Sequence, residues 1–367
     1  MSNNLVSRRQ FIAGASAGGA IVGVGGSAQG LSMHQPVVTE NYPLYQPKPA
    51  GGPIKVFCLE SLAPADVAKI RAVSGNIDLV MCNQAELRER AQEAEVVLGT
   101  VDGETAQRAK NLKWVQLWYA GVEGLAKEMK EHPSVLTNMQ RIFAPVIAES
   151  AIALLLSLTR GLAQSAIPNF RERRWAEPTG PLEDLYQKTM GIVGLGGIGT
   201  ETARRAYYGF NMKILALDPK PLPKPEFVAE LSEPAKLLEM VPRVDVLVSC
   251  APHTRETAKI FNEAVFRQMK RSAYFINVSR GALVDQKALG RALKEGWIRG
   301  AGLDVTSPEP LPPEDPLWTC PNLVITPHCS GAAPIRDVRL VALAVENLRR
   351  YSSGLPLLNV VDKMRGY

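Results

Sequence analysis

Gly194-Leu195-Gly196-Gly197-Ile198-Gly199 follows an apolar run at 190–193 and opens a helical stretch at 200–208. Gly194 permits a tight turn, Gly196 lets the backbone approach a pyrophosphate, and Gly199 allows close packing of helix on strand. The helix N-terminus, with Gly197 and Ile198 in the same loop, offers free N–H groups and a positive dipole to phosphate oxygens. Asp218 ends the next apolar run, 213–217, and stands 19 residues past Gly199. A carboxylate there accepts hydrogen bonds from both hydroxyls of an adenine ribose. It also repels a 2′-phosphate, so NAD is favoured over NADP. Strand, glycines, helix and acid together read as the start of a dinucleotide-binding unit.

The same alternation extends in both directions. Short β-type runs at 54–59, 77–80, 96–98 and 113–117 are separated by helical stretches such as 83–93. A long apolar helix at 148–160 follows, then further runs at 190–193, 213–217, 244–250, 274–278, 300–305 and 323–325. A final amphipathic helix is expected at 334–351. Strands alternating with helices imply open parallel α/β sheets, here two units joined by long helices. Such sheets bind ligands at the carboxyl ends of their strands. Arg280 follows 274–278, Glu309 lies in the loop after 300–305, and His328 follows 323–325. Each alone reads as an ordinary surface or loop residue. Their shared sheet edge, beside the nicotinamide end of a dinucleotide, makes them candidates.

Composition narrows the function. The 367 residues are 46% hydrophobic and 21% charged, with a mean hydropathy of −0.04. That is a globular chain long enough for two domains. The net charge of +6 is dispersed, with no basic stripe that would track nucleic-acid phosphates. Five cysteines without a C-x-x-C pattern suggest neither a disulfide framework nor a zinc site, so no metal is expected.

The first residues read as a signal. Ser7-Arg8-Arg9-Gln10-Phe11-Ile12 opens an uncharged stretch, 11–26, rich in Ala and Gly and ending in Gly26-Ser27-Ala28. Basic start, apolar middle and small-residue end match an export signal over 1–28. The paired arginines resemble the twin-arginine type, which implies a translocon that carries folded proteins and a periplasmic destination. A tail on a cytoplasmic protein is the alternative. Residues 29–53, Pro-rich, read as a linker.

Asn277-Val278-Ser279-Arg280-Gly281-Ala282-Leu283-Val284-Asp285, Gly302-Leu303-Asp304-Val305 with Glu309-Pro310, and Thr326-Pro327-His328 together resemble the D-isomer-specific 2-hydroxyacid dehydrogenases. The resemblance runs from about residue 54 to 360 and includes Ala120-Gly121-Val122, Ala148-Glu149, Pro252-His253-Thr254 and Thr257. It implies an α/β fold in which a Rossmann nucleotide-binding domain, 148–330, is inserted in a flavodoxin-like substrate (catalytic) domain. That second domain comprises 54–147 and the returning segment 331–367. A homodimer through the nucleotide domain is also implied.

By the resemblance, the substrate is a small 2-keto or 2-hydroxy acid of the glyoxylate and hydroxypyruvate kind. Arg280 holds its carboxylate and polarises its carbonyl. His328 donates the proton, and Glu309 orients the imidazole and favours its charged form. Backbone N–H groups of Gly121 and Val122 resemble the loop that captures the carboxylate. Ala251, Pro252, Thr257, Val278, Ser279, Asp304 and His328 join the glycine loop in lining the cofactor, with Asp304 near the nicotinamide carboxamide.

His253 is the competing imidazole, but its loop resembles the adenine side. His34 and His132 have no acid partner nearby in sequence. Three departures stand out. Gly197 replaces the Arg or Lys common inside the loop, which is expected to loosen pyrophosphate binding. Tyr119, after Trp118, stands where many relatives carry a small residue, which leaves the substrate open. Cys329 directly follows His328 and reads as a packing residue. A non-catalytic NAD-sensing protein of the same fold remains an alternative, although the leader and the charge pattern speak against it. A formate dehydrogenase is a second, but those relatives carry Gln at the position of Glu309.

Overall fold

The computed structural model describes residues 52–122 and 124–366. The expected leader, 1–28, and His34 lie outside these residues, as does the linker apart from its last two positions.

Five short strands form the first sheet: β1 Ile54–Cys58, β2 Ile77–Met81, β3 Val96–Leu98, β4 Trp114–Gln116 and β5 Val135–Thr137. They pair in the order β2-β1-β3-β4-β5, all parallel. This is the flavodoxin-like order. The second sheet holds β6 Thr189–Val193, β7 Lys213–Leu217, β8 Glu230–Ser232, β9 Val246–Ser249, β10 Tyr274–Asn277, β11 Gly300–Leu303 and β12 Leu323–Ile325. Its order is β12-β11-β10-β9-β6-β7-β8, again all parallel. The winding reverses between β6 and β9, and a crevice opens there at the carboxyl ends of the strands. The glycine loop leaves β6 at that point.

Parallel strands are covered on both faces, so the central ones are apolar throughout. Every residue of β9 and β10 is buried. The helix Ala144–Thr159 lies directly on this sheet because β11 offers Gly302, where a Cβ would stand 2.9 Å from the Leu154 Cβ. Pro145 in its first turn suits a helix start, since no N–H is needed there. The helix therefore begins at Ala144 rather than at 148 and runs across the expected domain boundary. The glycine-loop helix spans Gly197–Phe210 and stops at Asn211, which takes the left-handed conformation at φ 51°.

The chain then returns to the first sheet. The helix Arg336–Ser352 packs Leu348 and Tyr351 against Val56, Leu98 and Trp114. Tyr351 stacks on Trp114 at 5.5 Å between centroids and donates its hydroxyl to Glu95 Oε1 at 2.7 Å. Asn347 Nδ2 donates to the buried Gln116 Oε1 at 2.8 Å, and Val360 bridges to Thr137 on β5.

Candidate active site

The glycine loop has the shape a pyrophosphate needs. Gly194 adopts φ 94°, and a Cβ on it would lie 2.7 Å from the backbone nitrogen of Ala251. At Gly199 a Cβ would lie 2.0 Å from the Gly194 carbonyl oxygen. Both positions exclude any side chain. Gly196 differs: no atom lies within 4 Å of where its Cβ would be. That opening sits at the N-terminus of a 14-residue helix, where free N–H groups meet an anion. Leu195 N donates to Asp218 Oδ2 at 2.8 Å, and Lys220 N donates to Oδ1 at 2.9 Å. Asp218 is thus fixed at the outer edge of the same loop. Ala251 is buried beneath Gly194, while Pro252 is exposed. The Thr257 hydroxyl donates to the Pro252 carbonyl at 2.7 Å and accepts from Thr254 N at 2.7 Å, closing the turn that carries His253.

A buried polar pedestal carries the opposite side. Ser249, Asn277 and Ser279 are buried at the ends of β9 and β10, and the two serine hydroxyls lie 2.7 Å apart. Asn277 Oδ1 accepts from the Ser279 hydroxyl at 2.9 Å, and its Nδ2 donates to the Arg280 carbonyl at 3.0 Å. Val278 is buried between them. Arg280 Nη1 donates to the Ser279 carbonyl at 2.8 Å, which sets the direction of the guanidinium.

Gly281 joins this pedestal to the acid. A Cβ there would lie 1.9 Å from the Thr306 carbonyl oxygen, so only glycine lets the two loops touch. Thr306 N donates to Glu309 Oε1 at 2.9 Å, and Glu309 Oε2 pairs with His328 Nδ1 at 2.7 Å. The carboxylate accepts the Nδ1 hydrogen, so Nε2 is the atom that exchanges a proton with a ligand. Among the described residues Nε2 has no partner. His328 takes φ 49°, a conformation that costs a non-glycine residue about 1 kcal/mol.

Asp304 holds it there. Its carboxylate is 2% exposed and accepts from Thr326 Oγ1 at 2.6 Å, Cys329 N at 3.1 Å and Ser330 N at 3.0 Å. Its carbonyl accepts from His328 N at 2.8 Å. In this geometry the carboxylate braces the His328 turn from beneath, a role that neither the sequence nor the family resemblance indicates.

Gly121 and Val122 follow β4 on the first sheet. Their N–H groups have no acceptor among the described residues, as an anion-capturing loop requires. The loop is held from behind, with Asn138 Nδ2 donating to the Ala120 carbonyl at 2.6 Å. Tyr119, 43% exposed, places its hydroxyl 3.0 Å from Thr100 Oγ1. Segments beyond the two sheets touch at Phe143, 3.5 Å from the Cβ position of Gly331, and at Arg141 on Gly197.

His132 is a structural histidine. Burial lowers its pKa below the ordinary value, and its Nδ1 lies 3.0 Å from Ser134 Oγ. Among the described residues no cluster of His, Cys, Asp and Glu is arranged to hold a metal ion.

Residues 152–330 match the family profile described as D-isomer specific 2-hydroxyacid dehydrogenase, NAD binding domain. A glyoxylate reductase of Korarchaeum cryptofilum is 37% identical over 269 residues, covering 72% of this chain and 80% of the relative. A glyoxylate/hydroxypyruvate reductase B of Escherichia fergusonii is 37% identical over 219 residues, 58% of this chain and 66% of the relative. Among solved structures, a D-isomer specific 2-hydroxyacid dehydrogenase from Xanthobacter autotrophicus Py2, in complex with NADPH and MES, superposes with a TM-score of 0.73. It is 28% identical and covers 87% of this chain and 100% of that one.

Proposed function

The chain belongs to the D-isomer-specific 2-hydroxyacid dehydrogenases, and we propose that it reduces a small 2-keto acid such as glyoxylate or hydroxypyruvate to the D-2-hydroxy acid, with NADH preferred. The pairing of His328 Nδ1 with Glu309 at 2.7 Å, which leaves Nε2 to the ligand, carries this reading.

The open Gly196 cradle at a helix N-terminus and the fixed Asp218 carboxylate fit a nicotinamide dinucleotide. When bound, that group supplies the hydride. The chain's own residues do the rest. Gly194 to Gly199 hold the pyrophosphate, and Asp218 accepts from the adenosine ribose. Arg280 takes the keto-acid carboxylate in its planar fork and polarises the carbonyl. Gly121 and Val122 donate N–H groups to the same carboxylate from the first sheet. His328 delivers the proton from Nε2 to the carbonyl oxygen, and Glu309, bonded to Nδ1, holds the ring so that Nε2 is the atom presented to the ligand. In the oxidative direction His328 accepts that proton.

Oxidation of NADH by glyoxylate and hydroxypyruvate tests this directly. Binding of NADH with no turnover of any small 2-keto acid would assign the fold to NAD sensing instead.

Two further properties belong to the same reading. The protein is exported by its Arg8-Arg9 leader to the periplasm, with the translocon as a transient partner. It also forms a homodimer through the nucleotide domain. The exposed apolar side chains of Leu162, Ile167, Phe170 and Trp175, just beyond the helix Ala144–Thr159, favour association. Sedimentation at micromolar concentration checks it, and a monomer there refutes it. Among the described residues no single helix is long and apolar enough to cross a membrane.

A further inference from the structure

Gly197 has a neighbour that the loop sequence does not reveal. A Cβ on Gly197 would lie 2.9 Å from Arg141 Cγ, 3.1 Å from Arg141 Cα and 3.3 Å from the Ala144 Cβ. A side chain at this position would therefore have to displace Arg141. The place that an Arg or Lys takes in similar loops is here crowded by another arginine from outside the loop.

Arg141 is held there at some cost. It takes φ 71°, the left-handed region, in the turn that precedes the helix Ala144–Thr159, and its carbonyl accepts from Ala144 N at 3.1 Å. Strain of this kind in a non-glycine residue is of order 1–2 kcal/mol and collects at functional sites. Arg88, Arg90, Arg204 and Arg205 each pair with a carboxylate. The Arg141 guanidinium has no acceptor among the described residues. Its side chain reaches water, yet enough protein surrounds it that burial pushes its pKa below the ordinary arginine value. A crowded cation with no counter-ion is most stable when a ligand supplies the anion.

We propose that Arg141 supplies the dinucleotide pyrophosphate with the cation that the glycine loop lacks, an inference that rests on nicotinamide-dinucleotide binding at that loop. With Cγ beside Gly197, the remaining length of the side chain, Cδ, Nε and the guanidinium, would allow it to donate to phosphate oxygens held over Gly196. Two parallel N–H donors suit that anion. The keto-acid carboxylate is a weaker claimant, because Arg280 and the N–H groups of Gly121 and Val122 already serve it. Arg141 is thus a cofactor-binding residue contributed from outside the nucleotide-binding strands.

The test compares binding of NADH, ADP-ribose and adenosine by the full chain, by Arg141→Gly and by Arg141→Lys. Glycine accepts the left-handed backbone, and lysine keeps the charge. Arg141→Gly is expected to weaken NADH and ADP-ribose binding by about ten- to a hundredfold, the usual range for a lost charge-assisted hydrogen bond. Adenosine, which lacks the pyrophosphate, should bind equally to all three. Arg141→Lys should recover part of the loss. Unchanged NADH affinity in Arg141→Gly would overturn the assignment. So would a raised KM for the keto acid with NADH affinity intact, since that places Arg141 on the substrate. An unmodified protein that bound no nicotinamide dinucleotide would remove the functional reading and this inference together.

Discussion

At the scale of single residues, the proposed reaction divides the site into groups that would touch ligands and groups that aim them. His328 and Arg280 are of the first kind. Asp304, Asn277 and Ser279 are of the second, and each is buried and hydrogen-bonded. His328→Ala removes the proposed proton donor at the mouth of the Glu309 loop. Its kcat should fall by about 10² to 10⁴, the usual worth of a positioned acid or base. NADH affinity should change little, because the pyrophosphate and ribose contacts lie elsewhere. Steady-state turnover with glyoxylate checks the first statement, and a fluorescence titration checks the second. Asp218→Ser should narrow the preference for NADH over NADPH by removing the charge that repels a 2′-phosphate; equal kcat/KM for both cofactors in the unmodified protein would refute the premise. Arg280, Glu309 and His328 are legible in the sequence because each ends a recognisable strand or follows it closely. Arg141 is not. It sits in a turn without a motif, and its meaning comes from touching Gly197, far along the chain.

At the scale of elements, the helix Gly103–Arg108 shows how a short segment is pinned. Asp102 caps it, with Oδ1 accepting from Thr105 N at 2.7 Å. The other oxygen accepts from Arg88 Nη2 at 2.7 Å and Gln84 Nε2 at 3.0 Å. Burial alone would raise the Asp102 pKa, but these bonds outweigh it and hold the carboxyl well below the ordinary range. A depressed carboxylate pKa contributes stability that is present above the unfolded value, about 3.9, and is lost as pH falls through the folded value. Asp102→Asn keeps a capping oxygen but cannot titrate. The melting temperature of the unmodified chain should therefore fall more steeply below about pH 4 than that of the variant. Parallel melting curves would show it, and equal slopes would contradict it. The elements that escaped the sequence reading are short edge strands. β8 is Glu-Leu-Ser and β5 has three residues, so neither offers the apolar run that marks a central strand. The long helix was legible, but its true start was hidden by Pro145, which reads as a break and serves here as a first-turn residue.

At the scale of the whole molecule, the chain leaves its first sheet, builds a second, and comes back. The alternating runs imply two open parallel sheets, and the family resemblance supplies their flavodoxin-like and Rossmann character, so the architecture was open to sequence reasoning. The depth of the return was not, because it depends on pairs distant in the chain, such as Tyr351 with Glu95 and Asn347 with Gln116. The first sheet cannot complete its core until residues 336–361 have been made. Val56, Leu98 and Trp114, all fully buried, otherwise face water. Folding of both units is therefore finished only after synthesis of the whole body, a sequence of events that suits a translocon for folded proteins. Dinucleotide taken up in the cytoplasm would stabilise the folded form further by mass action. With Arg8-Arg9 proposed as an export signal, the full chain should appear in the periplasmic fraction as folded protein lacking its leader, whereas an Arg8→Lys/Arg9→Lys version should stay in the cytoplasm with residues 1–28 attached. A chain ending before Arg336 should be recovered in neither place as folded protein, since it lacks the helix that covers Trp114. Equal cytoplasmic retention of the first two, both uncleaved, would show that the arginine pair is a tail without export function. Periplasmic recovery of the shortened chain in folded form would show instead that the returning helix is dispensable to the core.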